Sequence, residues 1–320
     1  MSFISVLFAL LLEQARPLKK GNMIHASLRA WVRWSTRNFD AGQPWHGWLA
    51  WGASVLGPSI VALVIYWLLN FFLGWLFGVI WSALVLYVSL GFRQFSFHFT
   101  QIRVALVDGD EPLAIDLLAK WQSIDPMELA RHDVVGKVIE YSVLAAHRHV
   151  FGVLTWFSLL AVFGLGPMGA VMYRLCEFVP RYWQHKSETH HQPVSEALLR
   201  NARSAWVWID WMPARLTAVG FAVVGNFEEA IDSWHRYTGE SVTSNDGLVL
   251  AATAGAVNIH LAGAGWSATS GANGQDVSED TKCASPPELA HLRVVVGLVW
   301  RTVVMWMVLL SLLTLARLLG

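Results

Sequence analysis

Residues 48–92 contain no charged side chain. A membrane-crossing helix needs roughly 20 consecutive apolar residues, so this stretch is long enough for two crossings joined by a tight turn. The crossings are expected near residues 49–69 and 71–90, with Asn70 at the turn. Gly57-Pro58 is expected to kink the first helix, since neighbouring helices can satisfy the carbonyls a proline frees. Composition extends the reading to the whole chain. Of 320 residues, 55% are hydrophobic, only 14% are charged, and mean hydropathy is +0.43. Basic and acidic residues balance at 23 each, so the overall charge does not call for a nucleic-acid partner. Cys176 and Cys283 neither build a disulfide framework nor show a metal-ligand spacing.

Residues 2–12 are apolar but shorter than a span, and they lack the flanks of a cleaved leader. A half-buried or interfacial helix ending near Glu13 is expected. Arg16, Lys19, Lys20, Arg29, Arg33 and Arg37 follow, with only Glu13 and Asp40 as acids. With Trp31, Val32 and Trp34 interleaved, this pattern suits a helix on anionic lipid at the cytoplasmic face. Residues 93–149 form a polar block that reads as two or three amphipathic helices outside the lipid. Asp110-Glu-Pro marks one helix start, and Ser123-Ile-Asp-Pro closes one helix and opens another. A third span is expected over residues 150–171, loosened by Gly164, Gly166, Pro167 and Gly169. Residues 181–205 are polar, and their His185, His190 and His191 read as solvated loop residues rather than metal ligands.

The stretch 210–225 opens with Asp210, Pro213 and Arg215 and continues as an apolar run of about a dozen residues, too short for an ordinary span. It is expected to be re-entrant or buried. Beyond it, residues 226–237 read as an amphipathic helix, Ser244-Asn-Asp-Gly247 as a turn, and residues 248–263 as a short Ala- and Gly-rich helix containing His260. Residues 264–287 read as a flexible loop, and a last span covers about 294–315, interrupted by Arg301. The basic residues Arg174, Arg181, Lys186, Arg200 and Arg203 oppose the side of the membrane that simple counting assigns them, which leaves the topology open.

The fold class is therefore all-α: a polytopic helical membrane protein with about four to five spans, short re-entrant or interfacial helices and a cytoplasmic amphipathic helical block. Six regions are expected: interfacial helices over 1–47, a two-span hairpin over 48–92, the amphipathic block over 93–149, and a third span plus short apolar helices over 150–263. A flexible loop over 264–290 and a C-terminal span over 291–320 complete the chain.

Trp211-Met-Pro-Ala-Arg-Leu216, Asn245-Asp-Gly247, Ala251-Ala-Thr-Ala-Gly-Ala256 and Leu261-Ala-Gly263 resemble motifs of the CobD/CbiB membrane proteins of cobalamin biosynthesis and their AmpE-type relatives. Weaker echoes are His98 before Val104-Ala-Leu-Val-Asp-Gly-Asp110, and Gly166-Pro-Met-Gly-Ala170 with Tyr173-Arg174. The resemblance covers most of the chain. It implies a multi-pass protein of the bacterial inner membrane whose active relatives join an aminopropanol-type amine to a corrinoid carboxylate as an amide, using ATP and magnesium. Such a chain would be an ATP-dependent amide-forming ligase with the lipid bilayer and a corrinoid substrate as partners; a homo-oligomer also fits.

Several acids of the family pattern are replaced here. Leu144, Ala145 and Arg148 follow Glu140 where further acids are typical, Trp206 and Val207 stand near the family's paired aspartates, and Glu177 to Pro180 near its aspartate-containing run. Asp210-Trp-Met-Pro-Ala-Arg215 is close to the AmpE-type version, which implies the alternative of a non-enzymatic sensor or scaffold linked to cell-wall recycling and β-lactamase regulation. The catalytic candidates are His98, Asp110 and Glu140, for acid/base work or magnesium ligation. The substrate-binding candidates are Arg215 and Arg174, together with Asn245 and Gly247 as a turn whose amides cradle an anion. Beside these stand plainer roles: Asp110 as a helix cap, Arg174 as an end anchor, Arg215 paired with Asp210 or a headgroup. No residue is assigned to a resident metal.

Overall fold

The computed structural model describes residues 2–15, 23–39, 44–122, 134–190, 194–239, 244–261 and 285–319. The described residues are overwhelmingly helical, as expected of an all-α polytopic membrane protein. Four helical stretches are long and apolar enough to cross a membrane: Trp45–Phe72, Val134–Ala161, Glu196–Val224 and Leu289–Ala316. Two apolar helices are shorter, Phe3–Ala15 and Trp75–Ser89. The chain divides into two compact units. The first comprises Met1–Arg93, Arg148–Pro213 and Met307–Gly320; the second comprises Gln94–His147 and Ala214–Trp306.

The first unit begins with α1 (Ser2–Ala15), α2 (Met23–Phe39), α3 (Pro44–Phe72) and α4 (Trp75–Ser89). α1 carries no charge until its last turn and packs against α4, where the Ser5 hydroxyl donates to the Val79 carbonyl at 3.3 Å. α3 continues through Pro58 to Phe72, so the turn falls at Leu73-Gly74 rather than at Asn70. Gly74 sits at φ 95, a conformation open to glycine and costly for a β-carbon, and this decides where the hairpin reverses. The second arm is consequently the 15-residue α4, not a full crossing. Its small residues Gly78, Ser82 and Ala83 face inward, and Trp81 donates its indole N–H to the Ala62 carbonyl at 2.9 Å.

The expected third span is divided. α8 (Gly152–Ala161) stops before Gly164, which sits at φ 76, and α9 (Gly166–His190) doubles back to pack on it. A β-carbon at Gly169 would overlap the Trp156 backbone, so the glycine permits this close approach. α9 also runs far into the region expected to be a polar loop. Leu175, Val179 and Trp183 recur every fourth residue and are buried in one core with Val32, Ala50, Val55, Leu198 and Ala202; that apolar stripe holds His185 in a helix.

α10 (Glu196–Val224) overturns the expected re-entrant segment. It is one 29-residue helix that continues through Pro213 and qualifies as a full span. Glu196, Arg200 and Arg203 had masked its first half, yet Leu198 and Ala202 are fully buried between them.

The second unit contains α5 (Phe92–Val107), α6 (Glu111–Gln122), α7 (Val134–Ala146), the C-terminal part of α10, α11 (Phe227–Thr238), α12 (Asn245–Val257) and most of α13 (Leu289–Leu319). α7 runs through a π-helical turn, His147–Phe151, into α8, so the span expected from residue 150 starts at Val134. α11 and α12 meet tightly. Gly255 lies against the Glu229 backbone, and the Asn226 N–H donates to the Ala256 carbonyl at 3.1 Å. The Asn226 side chain caps α11 by accepting from the Glu229 N–H. In α13, Arg301 is exposed and bonds back to the Gly297 carbonyl at 3.3 Å. The expected helix boundary at Ser123-Ile-Asp-Pro, His191 and residues 264–284 of the expected loop lie outside the described residues.

Candidate functional site

Six of the seven residues singled out from sequence lie in the second unit; Arg174 lies in the first. Within the second unit, an aromatic relay links three helices. The half-buried His98 of α5 stacks on Trp121 of α6 at 5.7 Å between ring centroids, and Trp121 meets Tyr141 of α7 edge-on at 4.8 Å. α7 packs on both α6 and α12. It carries Glu140, only 8% exposed, with Lys137 Nζ at 2.8 Å from its carboxylate. One turn before it, this lysine supplies the countercharge that makes a buried carboxylate tolerable.

Seven residues beyond Glu140, on the same helical face, His147 is fully buried, with its Nδ1 2.9 Å from Thr217 Oγ1 on α10. This contact was not anticipated. The seven-residue spacing from Glu140 was its one sequence signal, and a π-helical turn, often found at functional sites, begins at His147. Arg215 stands two residues before Thr217, half-buried. The fold thus brings an imidazole and a hydroxyl together.

Asp110 occupies the cap position of α6, its Oδ1 accepting from the Leu113 N–H at 3.1 Å. The expected turn at Asn245 and Gly247 is instead the first turn of α12. Ser244 is the N-cap and accepts from the Gly247 N–H at 3.0 Å, so that amide is already used. Gly247 is needed for another reason: a β-carbon there would overlap the Tyr237 hydroxyl. Sequence alone could not separate these readings, because Ser-Asn-Asp-Gly is equally good turn and helix-start chemistry.

In the first unit, Arg174 is not a helix-end anchor. It lies inside α9 and bonds Glu177 at 2.6 Å, while Arg181 bonds the other oxygen of the same carboxylate. Burial pulls the Arg174 guanidinium down to about 10, an effect the adjacent Tyr173 partly offsets. Tyr173 itself donates to the fully buried Asp210 at 2.7 Å. Tyr173, Glu177 and Asp210 complete a polar set of which only Arg174 is a sequence-derived site candidate.

Among the described residues, no three His, Cys, Asp or Glu side chains are grouped to hold a metal ion. Magnesium arriving with nucleotide phosphates needs only one or two carboxylates. Of the acids proposed for that task, however, Asp110 is used as a cap and Glu140 is paired with Lys137.

A family model described as CobD/Cbib protein matches residues 6–299. The chain is 29% identical to a protein of Stutzerimonas stutzeri described as cobalamin biosynthesis protein CobD, over 96% of each chain. It is 30% identical to a Chromobacterium violaceum protein of the same description, over 59% of this chain and 57% of the relative, and 26% identical to one from Leptospira interrogans, over 60% and 59%. No solved structure matches it. With a family model covering nearly its whole length, the chain belongs to the CobD/CbiB family.

Proposed function

We infer that this protein is an inner-membrane synthase of cobalamin biosynthesis that joins a corrinoid carboxylate to an aminopropanol-type amine, the step made by adenosylcobinamide-phosphate synthase. The observation that carries this reading is the similarity to a CobD protein over 96% of both chains. A carboxylate does not condense with an amine until one of its oxygens becomes a good leaving group, and ATP is the reagent this reading requires. Arg215 is assigned to hold carboxylate or phosphate oxygens, which its planar guanidinium can grip in pairs. His98 and His147 are assigned to receive the proton the amine gives up. Asp110 and Gly247 have their structural roles and are not needed for this assignment.

The test is complementation of a strain lacking the cobinamide-forming step. The wild-type chain is expected to restore growth that depends on cobalamin synthesis, and Arg215→Ala to abolish it at unchanged membrane level. Failure of a well-expressed wild-type chain would sink the synthase reading and leave the AmpE-like scaffold, to which Asp210-Trp-Met-Pro-Ala-Arg215 is close, as the use of this fold.

A further inference from the structure

A cavity of about 340 Å³ in the first unit is walled by α2, α3, α4 and α9, and its lining combines apolar side chains with Arg29 and Arg174. Among the described residues, no carboxylate belongs to that lining. Trp81, Leu84, Val88 and Phe178 belong to the apolar wall, and Trp81 is fixed there by its bond to the Ala62 carbonyl. The volume falls within the range that accepts a small ligand.

The charge around the cavity is positive in excess. α2 carries Arg29, Arg33 and Arg37 four residues apart and contains no acid. On α9, Arg174 and Arg181 share the single carboxylate of Glu177, which leaves the three groups one positive charge in excess. Lys186 of α9 is held below the usual lysine range by burial first and then by Arg37 and Arg33, so the cations of α2 and α9 feel one another.

A free anion would answer these charges and leave the apolar wall wet. A neutral acyl chain would cover the wall and leave the excess positive charge of α2 and α9 unanswered. An amphiphile with an anionic head satisfies both, and a bilayer offers such molecules at high local concentration.

We propose that this groove binds one anionic phospholipid, its phosphate held by Arg29 and Arg174 and an acyl chain lying along Trp81, Leu84, Val88 and Phe178. The lipid fastens the amphipathic α2 to α4 and α9. The site does not depend on the amide-forming reading, because lipid retention is measured without turnover.

The experiment is native mass spectrometry of the purified full chain, re-lipidated with phosphatidylglycerol or with phosphatidylcholine. One phosphatidylglycerol is expected to be retained where phosphatidylcholine is lost. Arg29→Ala should weaken retention about fivefold, the effect of one cation near an anionic headgroup. Arg33→Ala removes an equal charge from the same helix outside the lining and should change retention little. Val88→Trp should abolish retention by filling the groove, with all charges kept; if this variant does not fold, the comparison of Arg29→Ala with Arg33→Ala decides alone. Equal retention of the two lipids, equal losses in the two arginine variants, or displacement of the lipid by inorganic phosphate would each overturn the proposal. These results would point, in turn, to a merely greasy surface, a diffuse field and a free-phosphate site.

Discussion

In the first unit the ring of Tyr173 fills the space that a β-carbon would need at Gly152; in the second, Tyr237 does the same at Gly247. The two hydroxyls then serve different partners. Tyr173 donates to the buried carboxylate of Asp210 at 2.7 Å, whereas the Tyr237 oxygen accepts from the Ser244 N–H at 2.8 Å and so supports the start of α12. In one unit the device keeps an acid in a fully buried place; in the other it fixes a helix terminus. A glycine in an apolar helix therefore says that something approaches closely, and only the partner of the approaching group says what for.

Four substitutions separate the two uses. Gly152→Ala should have the largest effect, about 3 kcal/mol of destabilisation, because the Tyr173 ring it meets is fully buried between α8 and α9. Thermal unfolding in detergent reads this directly, and a near-native melting temperature would mean that the ring is free to move aside. Tyr173→Phe comes next, at about 2 kcal/mol, since it removes a donor from a buried carboxylate. A double-variant cycle with Asp210→Asn should show strong coupling between the two positions; additive losses would mean that the hydroxyl and the carboxylate act separately.

Gly247→Ala should cost less, about 1.5 kcal/mol, because the overlap with Tyr237 is partly offset by the better helix propensity of alanine. Tyr237→Phe should cost about 1 kcal/mol, the usual value of one neutral hydrogen bond, and its loss should appear as faster amide exchange in the first turn of α12. If Tyr237→Phe proved as damaging as Tyr173→Phe, the distinction between carboxylate support and cap support would fail.

What could be read in advance followed from local chemistry. Asp110-Glu-Pro announced the cap of α6, and α11 was visible from Phe227, Ala230, Ile231 and Trp234 on one face. The spans that escaped did so because charges interrupt them. Lys137 and Glu140 lie one turn apart in α7 and answer one another at 2.8 Å, so a stretch that looked too polar for a membrane helix is locally balanced. In α10 the proline read as a terminus is carried within a helix whose buried residues include Ala202, Ala205, Ala214 and Ala218. The candidate site was the least legible part. His147 and Thr217 are 70 residues apart in the chain, and no spacing rule reaches across that distance. Gly247, expected in a turn whose amides cradle an anion, is constrained by the Tyr237 oxygen, contributed by the preceding helix.

The central claim is that this membrane chain makes an amide bond. Its most direct test is to incubate the purified full-length protein in lipid with a corrinoid carboxylate, an aminopropanol-type amine, ATP and magnesium, and to weigh the products. A product equal in mass to the two reactants less one water is expected, formed only when ATP is consumed and absent with Arg215→Ala. Unchanged reactants in the presence of folded wild-type protein would contradict it.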